Sequence, residues 1–79
     1  MNEYDILLEI FRFIRNYSTS VYTLPQVFRE VVRYMKDGGY NVEIVDDKHR
    51  DYKILQVEGN SYKIIRWPDW VSFEVQRTA

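Results

Sequence analysis

The sequence predicts a small α+β domain in which two N-terminal helices pack on one face of a four-stranded antiparallel meander, in the order ααββββ. Apolar residues recur with a helical period up to Gly38-Gly39 and with a period of two from Tyr40 onward. Turn signals then divide the second half of the chain into four short segments. The 79 residues leave room for one domain only, which we place at residues 1–79.

The first helix is predicted over residues 3–17. Its polar residues recur at helical spacing along a single stripe, formed by Asp5, Glu9, Arg12 and Asn16. The rest of its surface is mostly apolar and covers well over half of the circumference, whereas a surface helix needs an apolar arc of only about 100°. This helix is therefore buried on two sides, or part of it contacts another chain.

The second helix is predicted from agreeing start and stop signals. Thr23 is a favourable N-cap residue, Gln26 completes a capping box with it, and Pro25 fits the first turn. Gly38-Gly39 ends the helix, because one of these glycines can adopt the left-handed conformation. The apolar face consists of Leu24, Val27, Phe28, Val31, Val32, Tyr34 and Met35.

Turn signals set the register of the strands. A two-residue turn at Gly59-Asn60 places Val57 opposite Tyr62 and Lys53 opposite Arg66.

Two further connections join the outer strands. A four-residue loop over residues 47–50 places Val42 opposite Leu55, and a two-residue turn at Pro68-Asp69 joins the last two strands. All three connections put the same residues on one face, which we expect the helices to cover: Tyr40, Val42, Ile44, Leu55, Val57, Tyr62, Ile64, Val71, Phe73 and Val75.

The open face of the predicted sheet carries an apolar cluster at one end, which we call the aromatic patch: Val45, Tyr52, Ile54, Ile65, Trp67 and Trp70. Such a patch spans roughly several hundred Å², a size typical of interaction sites. The Trp pair, placed opposite each other by its turn, could simply stabilise that turn, but this would not need the other four residues. We expect the patch to bind a protein partner or a second copy of the chain, since Trp and Tyr are enriched at binding hot spots.

Two groups of basic residues suggest alternatives. Arg29, Arg33 and Lys36 form a ridge on the second helix that could contact nucleic-acid phosphates, although a solvated helix face gives the same pattern and the net charge is −1. Lys53 and Arg66 face each other under the helices. They would form an anion pocket unless they extend outward to helix carboxylates.

The sequence carries no enzyme or metal signature. Without cysteine there is no disulfide, thiolate metal site or Cys nucleophile. The single histidine, His49, lies in a charged turn over residues 46–51, where basic residues interrupt the carboxylates and the calcium-loop pattern fails. The three glycines form no phosphate-binding loop. We therefore expect no catalytic residue, no metal and no cofactor.

The order of two helices and a meander resembles that of the small ribosome-dependent ribonuclease toxins of the RelE type after their first strand, which this sequence lacks. The resemblance covers element order and no residue-level motif. It implies a small ribonuclease. The strand register, and not the resemblance, makes Lys53 and Arg66 the candidate phosphate-binding residues of such an enzyme.

Our first hypothesis is a non-enzymatic protein-binding module, such as an inhibitor or adaptor encoded by a virus or mobile element; nucleic-acid binding is the second and RNA cleavage the third. We also expect self-association as a homodimer. The first residues are acidic, and no apolar stretch reaches the ~18–20 residues of a membrane span. We therefore expect a cytoplasmic protein without a membrane partner, located in the host cytoplasm if it is viral.

Overall fold

The chain folds in the predicted order. The computed structural model describes residues 2–78. Its elements are α1 (Glu3–Ile14), α2 (Leu24–Asp37), β1 (Val42–Asp46), β2 (Tyr52–Val57), β3 (Asn60–Arg66) and β4 (Phe73–Thr78). The strands form one antiparallel sheet in the order β1-β2-β3-β4, which confirms the α+β meander. The predicted domain limits, residues 1 and 79, lie outside the described residues.

Side-chain caps begin both helices. The Asn2 carboxamide oxygen accepts hydrogen bonds from two backbone N–H groups of the first turn of α1, at 2.9 and 3.1 Å. At α2 the predicted capping box is present: the Gln26 N–H donates to the Thr23 hydroxyl at 3.3 Å, and the Thr23 N–H donates to the Gln26 side chain at 2.8 Å. Gly39, with φ of 89°, is the left-handed residue that ends α2.

Helix α1 ends at Ile14, three residues before the predicted end at residue 17. The Asn16 side-chain amide turns back and donates to the carbonyls of Arg12 at 3.4 Å and Phe13 at 3.2 Å. It thereby satisfies helix-end carbonyls that would otherwise be open to water. The apolar pattern could not reveal this, because it continues through Tyr17.

The core lies between the two helices and one face of the sheet. Tyr62 is fully buried at its centre, and its hydroxyl donates to the Glu3 carbonyl at 3.1 Å. Burial raises the pKa of this phenol. The other buried core residues are Ile6, Ile10, Ile14, Leu24, Val27, Phe28, Val31, Val32, Met35, Leu55, Val57, Ile64, Phe73 and Val75. Neither helix of residues 2–78 has the length and apolar character that crossing a membrane requires.

The predicted core face of the sheet is correct at six positions and partly correct at two more. Tyr40 and Val42 are only partly buried against the core. The prediction that the helices cover Ile44 and Val71 is wrong. Their side chains are 52% and 76% exposed. Ile44 lies on the outermost strand and Val71 lies in the connection before β4, so neither is covered.

The predicted β2–β3 turn lies one residue too late in the chain. The turn residues are Glu58 and Gly59, with φ of 51° and 84°, and Val57 pairs with Asn60. Glu58 adopts the left-handed region although glycine or asparagine is preferred there. Two contacts to Asn41 hold it in place: the Glu58 carboxylate accepts from the Asn41 N–H at 2.6 Å, and the Glu58 N–H donates to the Asn41 carbonyl at 3.0 Å.

The pairing registers of β1 with β2 and of β3 with β4 also differ from the prediction by two residues. Val42 pairs with Val57 instead of Leu55, and β1 contains a bulge between Ile44 and Asp46. At the other edge, residues 67–72 form a connection longer than the predicted two-residue turn. Because side chains alternate with a period of two, an error of two residues leaves the strand residues outside the β1 bulge on their predicted faces.

Candidate protein-binding surface

The aromatic patch lies where β2 begins and β3 ends, on the sheet face away from the helices. Tyr52 pairs with Ile65 across these strands, and Ile54 pairs with Lys63. Ile65 is only 6% exposed yet lies outside the core cluster, so the groups that bury it lie on the open side of the sheet. Tyr52 and Ile54 are half-buried. Ile65 therefore forms the buried floor of the patch.

The two tryptophans follow β3 in the chain but do not form the predicted cross-strand pair. They lie in the 67–72 connection, at a Pro68-Asp69 turn that the Trp70 N–H closes by donating to the Trp67 carbonyl at 3.2 Å. The ring centroids are 5.8 Å apart and the planes are tilted by 50°. Trp67 is 39% exposed and Trp70 is 50% exposed. A large apolar area is thus available to a partner.

The main chain beside Trp70 is held from the helix side. The Thr19 hydroxyl donates to the Trp70 carbonyl at 2.7 Å, and the Thr19 N–H donates to the Val71 carbonyl at 3.0 Å. Ser18 and Ser72 form an isolated antiparallel bridge next to them. The α1–α2 connection therefore fixes the main chain of the segment that carries Trp70.

Glu74 lies beside the aromatic patch, although the sequence analysis did not assign it there. It pairs with Ile65 across β3 and β4. Its carboxylate accepts a hydrogen bond from the Trp67 indole N–H at 2.9 Å and another from the Gln76 amide at 2.9 Å. The indole N–H of Trp67 is therefore satisfied inside the protein, and the exposed part of this side chain is apolar.

Tyr52 carries two neighbours that the sequence analysis did not assign to the patch. The His49 ring stacks on it with centroids 3.8 Å apart and planes 21° apart. The Lys63 ammonium lies 4.4 Å from the Tyr52 ring centroid, within cation–π range. Strand alternation puts Lys63 on the outer face, and this could have assigned it to the patch. Nothing in the charged turn indicated that His49 folds back onto Tyr52.

Val45 is the outlying member of the patch. It lies at the β1 bulge and is 55% exposed. Strands β2 and β3 separate it from the tryptophans, which follow β3. The patch thus spans three strands, with Val45 at one margin and Trp70 at the other.

Lys53 does not face Arg66, as the sequence analysis expected, but pairs with Ile64. It is 8% exposed, and its ammonium donates to the carbonyls of Asp47 and, at 3.5 Å, His49. These contacts tie the β1–β2 loop to the sheet. Lys53 is thus engaged by its own chain, which argues against its use as an anion-binding residue.

Arg66 lies opposite Phe73 at the end of β3. It lines a surface cleft together with Arg50, and the hydroxyl residues Thr19 and Thr23 line the same cleft. Lys53 belongs to a different cleft, under α2. The structure therefore separates the two members of the predicted anion pocket.

The basic ridge on α2 is exposed along its length. Arg29, Arg33 and Lys36 all point to solvent. Arg33 lies 4.0 Å from the Glu30 carboxylate, at the limit of an ion pair. This arrangement fits a solvated helix face, and it also leaves all three side chains accessible to a phosphate backbone.

Among residues 2–78, no three His, Cys, Asp or Glu side chains come together as a metal-binding group. Comparison with known proteins finds no matching family model, no matching curated protein and no matching solved structure. The candidate function therefore rests on the geometry of the chain itself.

Proposed function

We propose that this protein is a non-enzymatic binding module that docks a protein partner through the aromatic patch. The observation that carries the proposal is the presentation of two tryptophans, 39% and 50% exposed, on a connection fixed by hydrogen bonds at both tryptophans. Exposed Trp side chains on the same face as other apolar residues have the composition of a binding hot spot. The polar neighbours His49, Lys63 and Glu74 would form the rim of the interface.

A compact domain with an exposed aromatic surface fits an inhibitor or adaptor, of the kind that a virus or mobile element encodes. Such a protein would act by covering a surface of its target. The absence of cysteine suits a reducing compartment, so the proposal places its action in the cytoplasm, that of the host if the protein is viral.

The proposal is tested by affinity capture from an extract of the source cell, with four baits compared by quantitative mass spectrometry. The baits are the wild type, Trp67→Ala, Trp70→Ala and the control Ile44→Ala, which removes an exposed apolar side chain from the other face of the same sheet. We expect one partner to be enriched by the wild type and the control and lost from both tryptophan variants. Equal enrichment by all four baits would contradict the proposal.

Nucleic-acid binding is the second candidate, because Arg29, Arg33 and Lys36 are accessible on one helix face. Titration of DNA and RNA oligonucleotides at several salt concentrations tests it. Phosphate-based binding falls steeply as salt rises, with a log–log slope of about −0.9 per neutralised phosphate on duplex DNA. Binding that is absent at low salt removes this candidate. RNA cleavage in the same samples would instead favour the ribonuclease hypothesis.

A further inference from the structure

Helix α1 keeps an unpartnered apolar ridge. Its isoleucines are buried in the core, and Phe13 stacks on Tyr34 of α2 with ring centroids 4.3 Å apart. The helix is thus buried on two sides. On its remaining side an exposed row, the α1 ridge, consists of Tyr4 (75% exposed), Leu8 (44%), Phe11 (47%) and Arg15, whose guanidinium carbon lies 5.9 Å from the Phe11 ring centroid.

The α1 ridge is symmetric in its spacing. Its four residues are separated by four, three and four positions, so an antiparallel copy of the helix presents the same row. A twofold axis between Leu8 and Phe11 places Leu8 against Phe11 of a second copy. It also places Tyr4 against Arg15 of the second copy, an arrangement suited to a cation–π contact.

The charges beside the α1 ridge fit the same arrangement. Asp5 and Arg12 each follow a ridge residue by one position, so they lie on the same flank of the helix. In an antiparallel pair this flank faces its own counterpart, and Asp5 meets Arg12 of the second copy twice. Both residues are exposed, and the ion pairs found within residues 2–78 involve neither of them. A parallel twofold pair would instead set this flank against the opposite flank of the second helix, so Asp5 and Arg12 would not meet.

We propose that the protein forms a twofold-symmetric homodimer through antiparallel contact of two α1 ridges. A single pair of helices buries less than the ~1,600 Å² of a standard interface, so we expect a weak dimer. The α1 ridge and the aromatic patch lie on opposite sides of the sheet. The dimer therefore displays two free patches, which would give avidity toward a repeated partner.

Sedimentation equilibrium of the full chain from about 1 µM to about 1 mM tests the dimer. Leu8→Glu is expected to raise the Kd at least about tenfold, because it buries a charge against Phe11. Trp70→Ala is the control and should dimerise like the wild type. A wild type that stays monomeric over the whole range overturns the proposal, and so does a dimer lost in Trp70→Ala but kept in Leu8→Glu.

Charge reversal tests the antiparallel arrangement. Asp5→Lys and Arg12→Glu alone each create two repulsive contacts, so each is expected to raise the Kd about tenfold. Mixed together, the two variants form a heterodimer in which both flank contacts are attractive, and its affinity should match that of the wild type. This rescue separates an interface effect from lost helix stability, because mixing repairs no helix. A mixture that associates no better than its components overturns the arrangement.

Discussion

Replacing Trp70 by alanine should cost much less stability than replacing Phe73, although Trp is the larger side chain. An enclosed aromatic side chain buries about 150–250 Å². Since Trp70 is 50% exposed, it buries roughly 100 Å², worth about 2 kcal/mol at ~25 cal/mol per Å² after allowance for the compact unfolded chain. Phe73 is 4% exposed within the core cluster, and its removal also leaves a cavity, for a cost of about 3–5 kcal/mol.

Urea unfolding of the wild type, Trp70→Ala and Phe73→Ala measures this difference. The expected order of unfolding midpoints is wild type, then Trp70→Ala, then Phe73→Ala at unchanged slope. If Trp70→Ala were destabilised as much as Phe73→Ala, the tryptophan would be part of a core. The open-face interaction surface would then not exist.

Three further predictions concern other parts of the fold, and each is measured by denaturant unfolding. Ile65→Ala should cost about 2–4 kcal/mol despite its place outside the main core, because Ile65 is the buried floor of the patch. Gly59→Ala should cost about 1 kcal/mol, because its φ is 84°, whereas Gly38→Ala at φ −77° should be nearly neutral. The Tyr40 hydroxyl donates to the Glu9 carboxylate at 2.8 Å, and this hydrogen bond raises the pKa of Tyr40 to about 12. The hydrogen bond therefore stabilises the fold fully below pH 10, and its contribution is lost as pH rises toward 12. Tyr40→Phe should therefore lower stability at pH 7 and make the decline between pH 10 and 12 shallower; an unchanged decline would contradict the assignment.

The faces of the sheet could be predicted because strand periodicity survives register errors of two residues. The turns could not. Glu58 holds a backbone conformation that its residue type disfavours, and only its contacts with Asn41 in the folded chain explain this. The 67–72 connection is likewise fixed by Thr19, which lies 51 positions away from Trp70 in the chain. Local turn signals contain no information on such distant contacts.

Strand alternation predicted which side chains share the open face of the sheet with Ile65. It did not predict how the residues of the aromatic patch are arranged. Placing Ile65 as a buried floor requires knowing which residues pack over it. The partners of Lys53 were also unpredictable, since its ammonium binds carbonyl groups of a loop instead of side-chain carboxylates. Main-chain acceptors leave no signature in a sequence.

The most direct test of the account is the Kd of the captured partner for the wild type, Trp67→Ala, Trp70→Ala and Ile44→Ala, measured by isothermal titration calorimetry. Two exposed hot-spot tryptophans predict a loss of at least about 2 kcal/mol, or roughly thirtyfold in Kd, for each tryptophan variant. Ile44→Ala should bind within about threefold of the wild type. Equal affinities for all four proteins would contradict the claim that the aromatic patch is the docking surface.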